Sequence, residues 1–140
     1  MNLNNIESQK KNNNLGKTYK LCSQILIDKV YKEGSEIKNF PFVLKYQSTT
    51  LPKGAAAFQI VFVVPKKRFR LATTRNPIRR YMREAIRMNK HELESILINN
   101  NQQLALFLLY LGKSEINFIQ FEQKINVLLK HLVKEIKHEN

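Results

Sequence analysis

The sequence predicts an α+β fold, a two-layer sandwich in which a small central β-sheet packs against helices. Three observations carry this. Some stretches repeat apolar residues at helical spacing, others alternate or concentrate β-branched and aromatic residues, and the two kinds interleave in the order α-β-β-α-β-α with room for one further short strand. No internal repeat interrupts that order.

Residues 1–14 are rich in Asn, Lys and Ser, and after Met1 only Leu3 and Ile6 are apolar. A disordered basic tail over residues 1–17 is therefore expected, followed by one domain over 18–140. A first helix is expected over 21–32, where Ile25, Leu26 and Val30 make a stripe and Gly34 supplies a stop. Cys22 lies in the apolar start of that stretch and is expected to be a small buried hydrophobe. Phe40 to Tyr46 alternates, with Phe42 and Leu44 on one side and Val43 and Lys45 on the other, which marks a strand. Gln47 to Gly54 carries Ser, Thr, Pro and Gly and forms a loop. Ala57 to Val64 forms a buried strand that ends at Pro65.

A basic loop fills 65–74, and a helix follows to Asn89. Thr74 and Asn76 are both competent N-caps, with Pro77 tolerated in the first turn; the Thr74 start is preferred. His91 to Ile98 either extends this helix or forms a short one of its own, and Asn99 to Asn101 breaks it. Leu104 to Leu111 is the third β segment, closed by Gly112. The last helix covers 119–137, and its stripe of Phe121, Ile125, Leu128, Leu129, Leu132 and Ile136 is core.

The 140 residues suffice for one domain with a real core. Charge is the outlying property: 24 Lys plus Arg against 11 Asp plus Glu give +13, with a pI near 10.0. That balance favours polyanionic partners. A single cysteine excludes an intrachain disulfide and a cysteine metal cluster. The longest apolar run, Leu104 to Leu111, falls far short of the roughly 20 residues of a membrane span. No signal-peptide core is present, so a cytoplasmic protein with no membrane partner and no obligate protein partner is expected.

Most of the charge is concentrated. Residues 65–90 hold Lys66, Lys67, Arg68, Arg70, Arg75, Arg79, Arg80, Arg83, Arg87 and Lys90, opposed only by Glu84, a net of +9. Arg75, Arg79, Arg83 and Arg87 recur every four residues, which on a helix makes a row rising about 6 Å per step. Ile78, Met82, Ala85 and Ile86 cluster on the adjoining face. Like charges at this spacing cost about 0.2–0.5 kcal/mol per pair, a cost that an anionic partner offsets. Arginine suits phosphate because its planar fork donates in pairs and stacks on bases.

Lys66, Lys67, Arg68, Arg70, Arg75, Asn76, Ile78, Arg79, Arg80, Arg83, Glu84 and Arg87 together resemble the signature region of the bacterial ribonuclease P protein family. Tyr31-Lys32-Glu33-Gly34, Pro41 to Leu44 and Gln103 to Gly112 extend the resemblance over about residues 18–137. The resemblance implies a left-handed β-α-β crossover, against the usual hand. It also implies an RNA-binding subunit of a ribonucleoprotein endonuclease (a hydrolase of tRNA processing). Its partners would be the ribonuclease P RNA and precursor tRNA, whose 5′ leader is removed. The Mg2+ would be held by the RNA subunit, with no cofactor and no catalytic residue on the protein.

Carried over, Lys66, Lys67, Arg68, Arg70, Arg75, Asn76, Arg79, Arg80, Arg83 and Arg87 would bind RNA. Tyr31, Ile27 and Lys45 would line the leader site. This chain departs from the family at four positions. Pro77 replaces an arginine of the motif, Pro65 a small residue, Ile27 a position often aromatic, and Lys45 a position often tyrosine. Leader contacts would then rest less on stacking and more on charge. The residues themselves also argue against a self-sufficient enzyme. His91, His131 and His138 have no metal-ligand spacing, carboxylates do not cluster in the basic segment, and four scattered glycines make no phosphate loop.

Overall fold

A computed structural model describes residues 15–114 and 116–139. Four strands form one sheet: β1 (Ser35–Asn39), β2 (Phe42–Ser48), β3 (Phe58–Val63) and β4 (Leu104–Tyr110), in the spatial order β1-β2-β4-β3. The helices are α1 (Gln24–Glu33), α2 (Ala72–Asn89), α3 (His91–Asn99) and α4 (Phe118–Glu139), preceded by a 3-10 turn at Lys17–Tyr19. The room left for a short strand is taken by β1, where only Ile37 is buried between exposed Glu36 and Lys38. The stretch after α2 is a separate helix. It closes at Asn101, whose φ of 51° is a left-handed conformation that asparagine tolerates.

Pairing is antiparallel for β1–β2 (Ile37 opposite Leu44) and β2–β4 (Leu44 opposite Leu108), and parallel for β3–β4 (Ile60 opposite Leu106). The parallel pair makes α2 and α3 the connection of a β-α-β crossover. One sheet face carries Phe42, Leu44, Phe58, Ile60, Leu106 and Leu108 and packs on α2, α3 and α4. The α4 stripe is buried as its spacing predicts. Ala105 and Phe107 point to the opposite face, where Val30 of α1 and Leu21 cover them. Leu26, Ile27, Val61, Val63 and Leu109 are only partly buried there. The sandwich thus gains a partial third layer, and α1 leaves a strip of sheet open beside it.

Three local expectations are corrected. The first helix begins at Gln24, not residue 21, because Ser23 caps it by accepting from the Leu26 amide. Before the cap, the Leu21 amide donates to the Ile60 carbonyl at 3.1 Å. This ties the chain beside β3 and buries Leu21, while Cys22 is exposed. Leu15, assigned to the tail, is 8% exposed and joins the main core; residues 1–14 of the expected tail lie outside the described residues. Gly34 is required where α1 meets β2. A Cβ there would stand 2.5 Å from the Val30 carbonyl oxygen and 2.9 Å from that of Tyr46.

Candidate nucleic-acid interface

The basic loop is a tight turn on an apolar anchor. The amides of Arg68 and Phe69 donate to the Pro65 carbonyl at 3.2 and 3.1 Å. Phe69 is buried and stacks on Tyr110 with ring centroids 6.0 Å apart. Lys66, Lys67, Arg68 and Arg70 are left exposed around it.

The helix after the loop starts at Ala72, two residues before the expected Thr74 cap, and Pro77 lies inside it. The reason is Arg75. Its Nη1 donates to the carbonyls of Phe69 at 2.7 Å and Arg70 at 2.9 Å. Its own amide donates to Leu71. Side chain and backbone together fasten the loop to the helix start, in place of the side-chain cap that Leu71 cannot provide. Arg75 is 9% exposed and so leaves the expected surface row. Arg75→Ala is expected to orphan two carbonyls and cost about 2–4 kcal/mol. Chemical denaturation checks this, and Arg75→Lys should recover only part, because an ammonium does not reproduce the fork.

Arg79, Arg83 and Arg87 continue the row, with Arg80 and Asn76 exposed alongside. Arg79 Nη2 donates to Asn76 Oδ1 at 2.8 Å. Arg83 lies over the Phe62 ring, 5.7 Å from its centroid. Arg87 is partly neutralised, since its Nε donates to Glu84 at 3.0 Å, and this hydrogen bond holds the Glu84 carboxyl below its ordinary pKa. Arg80 also lies one helical turn from Glu84, but the contact is with Arg87. Lys90 also leaves the surface: it is fully buried, with Nζ 2.6 Å from Glu94 and 3.2 Å from the Tyr19 hydroxyl.

Tyr31, Ile27 and Lys45 meet on the opposite sheet face. Lys45 Nζ sits 4.2 Å from the Tyr31 ring centroid and donates to the Tyr31 carbonyl at 2.8 Å. Glu36 lies 3.8 Å from the same ammonium. Tyr31 is 51% exposed, with its ring 5.4 Å from that of Phe107. Ile27 packs into the same small cluster. Phe107 is the member that sequence reasoning missed. The segment Leu104–Tyr110 is apolar at every position, so alternation could not say which residues face α1.

Among the described residues, no three His, Cys, Asp or Glu side chains come together as a metal-binding set. His131 is exposed and lies 3.2 Å from Glu135. Among the same residues, no helix is long and apolar enough to cross a membrane.

A sheet backed by three helices, with guanidinium groups on one of them and an aromatic–ammonium pair on the far face, defines a basic α+β domain fitted to polyanions. The ribonuclease P family profile matches residues 15–133, and the chain belongs to that family. A ribonuclease P protein component from Chlorobium phaeobacteroides is 30% identical over 129 residues, covering 86% of this chain and 88% of that protein. One from Porphyromonas gingivalis is 36% identical over 83 residues, 59% of this chain, and the match spans only 60% of the relative's length. The fold matches the RNase P protein of Staphylococcus aureus with a TM-score of 0.64 at 20% identity, over 81% of this chain and 94% of that one. It matches that of Thermotoga maritima with a TM-score of 0.60 at 24% identity, over 80% and 96%.

Proposed function

We propose that this chain is the protein subunit of a cytoplasmic ribonuclease P ribonucleoprotein, binding a catalytic RNA and the 5′ leader of precursor tRNA. The observation that carries the reading is the cationic surface of α2 and its loop: exposed Lys66, Lys67, Arg68, Arg70, Arg80 and Arg83 and half-buried Arg79 answer to no acidic partner among the described residues. Guanidinium groups spaced along one helix suit the phosphates of a folded RNA. By neutralising them, the protein lets the RNA keep its active shape with fewer divalent ions. The Mg2+ that supports cleavage belongs on the RNA in this reading, and the protein contributes charge and position.

Reconstitution is the test. Mixed with a ribonuclease P RNA at low magnesium, the protein is expected to stimulate precursor-tRNA cleavage and to cleave nothing alone. Failure to stimulate any such RNA overturns the proposal.

The leader falls, in the same reading, on the open strip beside α1, where exposed Tyr31, backed by the buried Phe107 ring, offers a stacking surface and Lys45 a phosphate contact. Base–aromatic stacking contributes about 1–3 kcal/mol per base. Tyr31→Ala is therefore expected to weaken binding of leader-bearing tRNA to the holoenzyme by about tenfold, with mature tRNA unaffected. Equal losses on both substrates would remove Tyr31 from the leader site.

A further inference from the structure

A second concavity lies on the other side of β3, between that strand, α2 and the chain from Leu15 to Leu21. Its volume is about 330 Å³. Leu15, Leu21, Ile60 and Phe62 line it beside Tyr19 and Lys20, and Arg79 and Arg83 stand in it. Among the described residues, no acidic side chain lines it. Neither arginine is ion-paired among the described residues: Arg79 binds only the neutral Asn76 amide, and Arg83 lies over Phe62. A guanidinium has five N–H donors, so the single bond from Arg79 to Asn76 leaves donors unused.

A larger hollow of about 720 Å³ at the loop ends near Thr49 and Asn101 is lined, among the described residues, by no ionisable side chain. The smaller one combines apolar lining residues with cations that no described acid neutralises. That pairing fits a molecule with one flat apolar part and one anionic part. Its volume, near the lower end of roughly 300–1,000 Å³ for small-ligand sites, admits a single nucleotide and excludes a base pair.

We propose that this hollow is a mononucleotide pocket that takes one unpaired, extruded nucleotide of the RNA partner, base against Phe62 and phosphate on Arg79 and Arg83. This rests on the RNA-partner reading above and deepens it. The arginines then do more than neutralise charge: they mark the mouth of a socket that requires an unstacked base, as single-stranded RNA provides. Tyr19 fixes the socket's third side. Its hydroxyl donates to Glu94, so the 3-10 turn is held against the α2–α3 junction.

The test is a titration of the isolated, 15N-labelled protein with adenosine 5′-monophosphate, followed by amide NMR shifts, beside ribose 5-phosphate and inorganic phosphate. Adenosine 5′-monophosphate is expected to shift Gly16, Leu21, Val61 and Phe62 and to bind about tenfold more tightly than ribose 5-phosphate, the difference that one stacked base supplies. Phe62→Leu is expected to erase that advantage while leaving phosphate binding intact. Equal binding of the two phosphates by the unaltered protein, or shifts confined to residues 66–70, would overturn the pocket; this comparison needs no variant to fold. Binding to ribonuclease P RNA, measured separately, judges the broader reading, so either can fail alone.

Discussion

Lys90→Met is expected to lower stability by about 3–5 kcal/mol, the range for removing one partner of a buried ion pair. Lys90 stands at the junction of α2 and α3 with its side chain fully buried, and Glu94, 15% exposed, is left behind as a desolvated charge. The hydroxyl of Tyr19 loses a partner in the same step. Urea denaturation with an unchanged slope checks the loss. The double variant Lys90→Met/Glu94→Leu should regain most of it, because the cost lies in the orphaned charge rather than in the missing attraction. A loss below about 1 kcal/mol, the level of an exposed pair, would mean that water reaches the cluster. Burial first, then the hydrogen bond to Glu94 and its charge, raise the Tyr19 phenol above its ordinary value of 10.0. The folded state therefore holds that proton more tightly than the unfolded chain. The associated stability is complete below pH 10 and drains away as pH climbs toward the raised value. Tyr19→Phe should remove that part of the alkaline loss.

The other large effect concerns binding. Arg79→Ala combined with Arg83→Ala is expected to weaken binding to the RNA subunit roughly 100-fold, taking about 1.5 kcal/mol per contact, the lower end for hydrogen bonds to charged groups. The log–log salt slope should flatten by about 1.4–1.8, two phosphates at 0.7–0.9 each. Arg80→Ala with Arg87→Ala serves as the comparison and should do less, because Glu84 already engages the Arg87 guanidinium. An unchanged slope in the first double variant would reduce the arginine row to a solvated face. Thermal stability should stay within about 0.5 kcal/mol of the parent for exposed substitutions, which separates these residues from Arg75.

The sequence told apart what periodicity governs. The α4 stripe, the inward Phe42 and Leu44 and the Gly34 stop all follow from spacing and are found in place. It could not tell which charges stay outside. Arg75 and Lys90 look like their neighbours on a helical wheel, yet one is drawn in by two carbonyls of the preceding loop and the other by a carboxylate a turn ahead. Those partners depend on where the helix starts and where it breaks, which are the least legible points of a sequence. Cys22 failed for a similar reason: a cap at Ser23 moved it out of the helix and onto the surface. The absence of alternation in Leu104–Tyr110 hid Phe107, but it also marked the strand that both sheet faces cover.

That strand has one more implication, for how the molecule comes into being. The segment that fills the middle of the sheet is the last strand to be synthesised. Ser48 must wait for its register partner Leu104, 56 residues later, which at 5–20 residues per second is roughly 3–11 s. The cationic stretch of 65–90 is synthesised within that interval, before the scaffold that displays it is complete. A chain that stalls between residues 90 and 104 would carry that charge without the strand that joins β2 to β3. Selective recognition is thus reserved for polypeptides whose translation has passed Tyr110, the end of β4.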